Sequence, residues 1–113
     1  MPSEFPVRKT INLPYGDKRT FKFQLMKNGT PVNLTGAQLI FYVKSVSDFD
    51  WQPKKLNVVL DDPPSGKFSI TLSTQDLKMK AGRYIAEIEW VNENFSLIYF
   101  DITIYEDVMH GKG

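Results

Sequence analysis

Leu77-Lys78-Met79-Lys80-Ala81-Gly82-Arg83-Tyr84-Ile85-Ala86-Glu87-Ile88-Glu89-Trp90 is the stretch whose reading decides the fold. Tyr84, Ala86, Ile88 and Trp90 alternate with Ile85, Glu87, Glu89 and Val91. A period of two belongs to a β-strand with one face buried and the other in water. Just ahead of that strand, Gly82-Arg83-Tyr84 has the spacing of a tyrosine corner. In that device the ring packs in a core and the hydroxyl bonds back to the corner backbone, which satisfies a buried polar tip. In immunoglobulin-like sandwiches such a tyrosine stands two residues before a core cysteine. Here that position is Ala86, a small residue suited to a sandwich without a disulfide.

The same period runs outward in both directions. Phe21, Phe23 and Leu25 alternate with polar residues, as do Leu39, Phe41 and Val43, then Phe68, Ile70 and Leu72, then Phe100, Ile102 and Ile104. Ile40 is the exception to the pattern. Turn residues fall between the runs: Tyr15-Gly16-Asp17, Asn28-Gly29, Leu34-Thr35-Gly36, Asp61-Asp62-Pro63-Pro64-Ser65-Gly66 and Asn92-Glu93-Asn94. The spacing predicts about seven strands, at 7–13, 19–26, 37–44, 55–60, 67–72, 83–91 and 95–105. The fold class expected is all-β, an immunoglobulin-like antiparallel β-sandwich with no disulfide. No segment reads as a long helix; Thr74 to Lys80 is expected to form one short turn with Thr74 as its cap. Residues 1–6, with Pro2 and Pro6, read as an extended N-terminal arm, 7–106 as the sandwich domain and 107–113 as a flexible C-terminal tail.

Composition excludes several function classes. The chain has 113 residues, of which 42% are apolar and 13% aromatic, enough for one hydrophobic core. Lys plus Arg number 14 against 13 Asp plus Glu, a net charge of +1. That balance argues against nucleic acid and against an anionic membrane as partners. No basic-apolar leader and no membrane-length apolar run is present. The absence of cysteine removes thiolate metal sites and Cys nucleophiles. The Asn-x-Ser/Thr triplets at Asn28, Asn33 and Asn94 read as turn chemistry.

Candidate chemistry is sparse. The single histidine, His110, sits in the Gly-rich tail with no nucleophile to activate, so no enzyme is expected. Asp48 and Asp50 are two carboxylates without the glycine and further oxygens of a calcium loop, so no metal or cofactor is expected. The loop Ser45-Val46-Ser47-Asp48-Phe49-Asp50-Trp51-Gln52-Pro53 is more informative. Phe49 and Trp51 lie outside any strand, and exposed aromatics of this kind are enriched at protein interfaces. They also suit stacking on sugar rings, or folding back to cap the sandwich. Phe5, in the arm, is a third candidate partner-binding residue, because an extended arm adds readily to a neighbour's sheet edge. Replacing Phe49 and Trp51 together by serine is expected to weaken assembly while the domain stays folded.

Two longer stretches carry a resemblance. They are Gly16-Asp17-Lys18-Arg19-Thr20-Phe21-Lys22-Phe23, and Lys27-Asn28-Gly29-Thr30-Pro31-Val32-Asn33-Leu34-Thr35-Gly36-Ala37-Gln38-Leu39-Ile40-Phe41-Tyr42-Val43-Lys44. With Ser65-Gly66-Lys67-Phe68 and Ala81-Gly82-Arg83-Tyr84-Ile85-Ala86-Glu87, they resemble the N-terminal domain of the baseplate upper protein family of tailed bacteriophages. The resemblance spans most of 15–105 and rests on turn and core residues. It implies a non-enzymatic structural subunit of a tailed-phage virion, in the tail, baseplate or neck, acting through protein–protein contacts. Other virion proteins would be its partners, in several copies or as a homo-oligomer. Assembly would take place in the bacterial host cytoplasm, which suits a chain without cysteine. Members of the family continue into fibre-like or receptor-binding regions, so a small adaptor is expected here rather than a receptor binder. A capsid decoration or head-fibre protein is the related alternative. A carbohydrate-binding module, stacking sugars on Trp51, Phe49, Tyr42, Tyr99 or Tyr105, is the alternative from another class.

Overall fold

The structure is a computed structural model and describes residues 7–106. Its elements are β1 (Val7–Pro14), β2 (Lys18–Gln24), β3 (Met26–Lys27), β4 (Thr30–Pro31), β5 (Leu39–Ser45), β6 (Lys54–Asn57), β7 (Val59–Asp62), a 3₁₀ turn (Pro63–Ser65), β8 (Lys67–Ser73), β9 (Gly82–Trp90) and β10 (Phe95–Tyr105). One sheet has five strands in the order β1-β10-β9-β5-β6, and the other has three in the order β2-β8-β7. β3 and β4 form a separate hairpin. Pairing is antiparallel throughout, except that β1 lies parallel to β10 with Val7 opposite Ile98 and Pro14 opposite Tyr105.

The fold is therefore an all-β, immunoglobulin-like sandwich, as the alternation predicts. The apolar member of each alternating run faces the space between the sheets. Phe41 and Ile88 are directly opposite each other across β5 and β9, and both are fully buried. Phe68 of the small sheet stacks on Phe23 at 5.4 Å, and Phe100 of the large sheet meets Phe23 and Phe41 edge-on at 5.7 and 5.6 Å. The Phe23–Phe100 contact ties the two sheets, and each such ring pair is worth about 0.5–1.5 kcal/mol beyond its buried area. A register shift between Ser96 and Ile98 lets Leu97 and Ile98 both turn inward, as a β-bulge does.

Three expectations need correction. The strand count is ten, because two predicted runs divide, 19–26 into β2 and β3 and 55–60 into β6 and β7, and because β4 forms where no strand is expected. The run expected at 55–60 splits at Val58: β6 pairs with β5 in the large sheet, and β7 pairs with β8 in the small one. No glycine or proline marks that crossing, since the backbone stays extended while changing sheets. The Asp61–Gly66 turn begins later than expected, because Asp61 and Asp62 complete β7. Thr74 is not a cap. Ser73 is, its Oγ accepting the Asp76 N–H at 3.2 Å while its carbonyl accepts the Leu77 N–H at 3.0 Å. Thr74 is fully buried and fastens the β1–β2 turn, accepting the Gly16 N–H at 2.8 Å and donating to the Asp17 carbonyl at 3.1 Å.

Candidate functional site

The tyrosine corner forms as read. The Tyr84 hydroxyl donates to the Lys80 carbonyl at 2.8 Å, and the side chain is 3% exposed. Burial, with a smaller contribution from the Asp48 carboxylate, pushes its pKa up against the lowering effect of that hydrogen bond.

This corner is the base on which the 46–53 loop is built. Trp51 stands edge-on against Tyr84, ring centroids 5.2 Å apart. Its indole N–H donates to the carbonyls of Leu77 and Lys78 at 3.1 and 3.0 Å. Lys54 covers the ring with its ammonium 5.7 Å from the centroid. The loop is thus clamped to the 74–81 segment. Its apex is a local turn closed by short-range bonds. The Asp48 N–H donates to Ser45 Oγ at 2.8 Å, the Asp50 N–H to Asp48 Oδ1 at 3.0 Å, and the Trp51 N–H to the Asp48 carbonyl at 3.3 Å. Asp48 therefore organises a turn, and no group of three or more His, Cys, Asp or Glu placed to hold a metal occurs among the described residues.

Phe49 rides on this turn with 91% of its surface exposed. The two aromatics that the sequence pairs as candidates are thus separated: Phe49 projects into solvent, and Trp51 is half-buried against the core. Phe5 and His110 lie outside the described residues. Tyr15, Val46 and Tyr105 are exposed at the same end of the sandwich, where the Tyr15 N–H donates to the Tyr105 carbonyl at 2.7 Å and the Val46 N–H to the Arg83 carbonyl at 2.9 Å.

A second surface carries Tyr42 and Tyr99, which the sequence offers only as separate sugar-stacking candidates. The outward residues of the large sheet align across strands as Arg8, Tyr99, Glu87, Tyr42 and Lys55. A groove of about 460 Å³ runs over this row, with Ile85, Lys44, Pro53 and Asp101 also in its lining. The alternation identifies each of these residues as outward-facing, but only the register brings the two tyrosines to either side of one glutamate.

A family model described as the BppU N-terminal domain matches residues 6–112. Among curated proteins none matches the chain. Among solved structures, the N-terminal domain of phage TP901-1 ORF48 is similar with a TM-score of 0.62 at 20% identity, over 85% of this chain and 84% of that one. The NK cell receptor NKp44 has a TM-score of 0.39 at 16% identity, covering 90% of this chain and 99% of that one. The ZIG-8–RIG-5 IG1–IG1 heterodimer has a TM-score of 0.41 at 14% identity, covering 94% and 90%.

Proposed function

The chain belongs to the BppU N-terminal domain family, the N-terminal domain of phage baseplate upper proteins, and from that premise we propose that it is a structural subunit of a tailed-phage virion. Its place is the tail or baseplate, and its work is holding other virion proteins rather than chemistry. The observation that carries the contact role is Phe49, a fully displayed ring on a turn that is already closed by its own hydrogen bonds. A preformed turn loses little conformational entropy on docking, so burial of the ring converts efficiently into affinity. Asp48 and Asp50 flank the ring, and they favour an apolar pocket rimmed by basic residues on the partner. Several copies act together in the particle, where each weak contact is multiplied by the array.

The test is incorporation. A tagged chain is expressed in phage-producing cells, and particles are purified and imaged by negative stain with a label on the tag. The expected result is label at the tail end, with a strong loss of label for Phe49→Ser at unchanged thermal stability. Label over the capsid surface would replace this reading with the decoration-subunit alternative. Particles without label, beside abundant soluble protein, would overturn the virion assignment.

A further inference from the structure

The groove on the outer face of the large sheet lies over Glu87, with Tyr42 and Tyr99 in its lining. Strands in a sheet lie about 4.8 Å apart. Tyr42 and Tyr99, one strand to each side of Glu87, are therefore separated by roughly 10 Å at the backbone, with the carboxylate between them. Each ring already attracts a cation of the chain's own from the flanking strand. Arg8 Cζ lies 5.7 Å from the Tyr99 centroid, and Lys55 Nζ lies 5.5 Å from that of Tyr42. The space above Glu87, between the rings, is left open as the groove, with Ile85 in its lining.

Charge decides what fits there. Glu87 is half-buried, and its carboxylate accepts a hydrogen bond from Ser96 Oγ, which holds it in place. Glu89 is the next outward residue on the same strand. The ion pairs among the described residues are Arg8–Asp101 and Arg19–Asp17, so neither glutamate is held in an ion pair. Lys44 lines the groove without pairing with Glu87. Burial first, then the Glu89 carboxylate through its charge and a hydrogen bond, and the Glu87 carboxylate through its charge, push the pKa of Tyr42 up. A cation entering from outside would neutralise Glu87 and meet two ring faces at once. A guanidinium suits the slot better than an ammonium, because it is flat enough to stack on a ring and forked enough to bridge both carboxylate oxygens.

We propose that this groove binds an arginine side chain presented by a segment of a partner protein, with Glu87 as the anion and Tyr42 and Tyr99 as the walls. The inference rests on the reading that the chain works through protein contacts, and it adds a surface distinct from the Phe49 turn.

The experiment is an NMR titration of the ¹⁵N-labelled chain with Nα-acetyl-arginine amide, using the citrulline analogue as the isosteric neutral control. Saturable shifts at amides around Tyr42, Ile85, Glu87 and Tyr99 are expected with the arginine probe only. Binding should fall at least ten-fold in Glu87→Gln, and it should also weaken in Tyr42→Leu and in high salt. Equal shifts from the citrulline probe, or undiminished binding by Glu87→Gln, would overturn the proposal. Binding of methyl glucoside in the groove without arginine binding would overturn it in favour of a saccharide. Particle incorporation is scored separately, on the wild-type chain. A chain that enters particles but ignores the arginine probe defeats the groove alone. A chain that binds the probe but is absent from particles defeats the virion reading.

Discussion

At one end the sandwich closes on backbone, and at the other it closes on side chains. The first end is organised around Gly66, whose φ is +74°. Its carbonyl accepts the Leu25 N–H at 2.8 Å, and the Leu25 carbonyl accepts the Val32 N–H at 2.9 Å. A Cβ on residue 66 would lie 2.7 Å from the Leu25 oxygen and 2.8 Å from that of Val32. The second end is organised around Tyr84 and Trp51, whose rings and polar tips hold the 46–53 and 74–81 segments together. The Gly66 end is packed so tightly that it has no room for a side chain. Among the side chains described there, Met26 and Val91 are exposed and apolar. The Trp51 end spends one aromatic on closure and is thereby free to hold out another. A rigid base is what allows Phe49 to be displayed instead of collapsing inward.

The sharpest way to break this contrast is Gly66→Ala. Strain at positive φ and the clash with two carbonyl oxygens together should cost about 4 kcal/mol, seen as a large drop in the urea midpoint. A cost below about 1 kcal/mol would show that the Gly66 end relaxes easily. Trp51→Ala comes next, at about 2–3 kcal/mol, somewhat below a fully buried ring because Trp51 is half-exposed. The same variant should raise backbone mobility in both clamped segments, measurable by amide exchange. It follows that replacing Phe49 and Trp51 together confounds a lost contact with a loosened loop, and Phe49 must be changed alone.

Tyr84→Phe should cost about 1 kcal/mol, since it deletes the hydroxyl that satisfies the Lys80 carbonyl. It also carries a pH signature. The folded-state pKa of Tyr84 is raised above 10.0, so its contribution is fully present below about pH 10 and is lost as pH rises through the folded value. Wild type should therefore lose stability in alkali more steeply than Tyr84→Phe, which a thermal-melt series from pH 8 to pH 11 checks. Phe49→Ser should be the mildest of all in stability, within about 0.5 kcal/mol, because 91% of the ring is already in water. Its effect should appear only in assembly. A stability loss larger than that of Tyr84→Phe would mean that the ring packs on its own loop.

Much of this architecture is legible in residue order. The alternation through Tyr84, Ala86, Ile88 and Trp90 predicts the buried face of β9, and each of the four is buried or half-buried on that face. Asn28-Gly29 predicts a tight hairpin, and both residues have positive φ, at 53° and 78°, joining β3 to β4. The tyrosine corner predicts a hydroxyl bonded back to the chain, and Lys80 supplies the acceptor. The site was less legible. Nothing in Asp48-Phe49-Asp50-Trp51 tells which aromatic turns outward, because the answer depends on where the carbonyls of Leu77 and Lys78 lie.

Sequence alone thus determined what each strand shows to water and what it hides, because side-chain direction along a strand repeats every two residues whatever surrounds it. It determined the places where the chain must turn, because Gly, Pro and Asn carry backbone preferences of their own. Tertiary structure decided which strands share a sheet, where the 55–60 run crosses from one sheet to the other, and which outward residues stand side by side. Tyr42, Glu87 and Tyr99 are 45 and 12 residues apart in order yet adjacent in register. Register between strands is set by the packing of whole faces against each other, and no single segment contains that information.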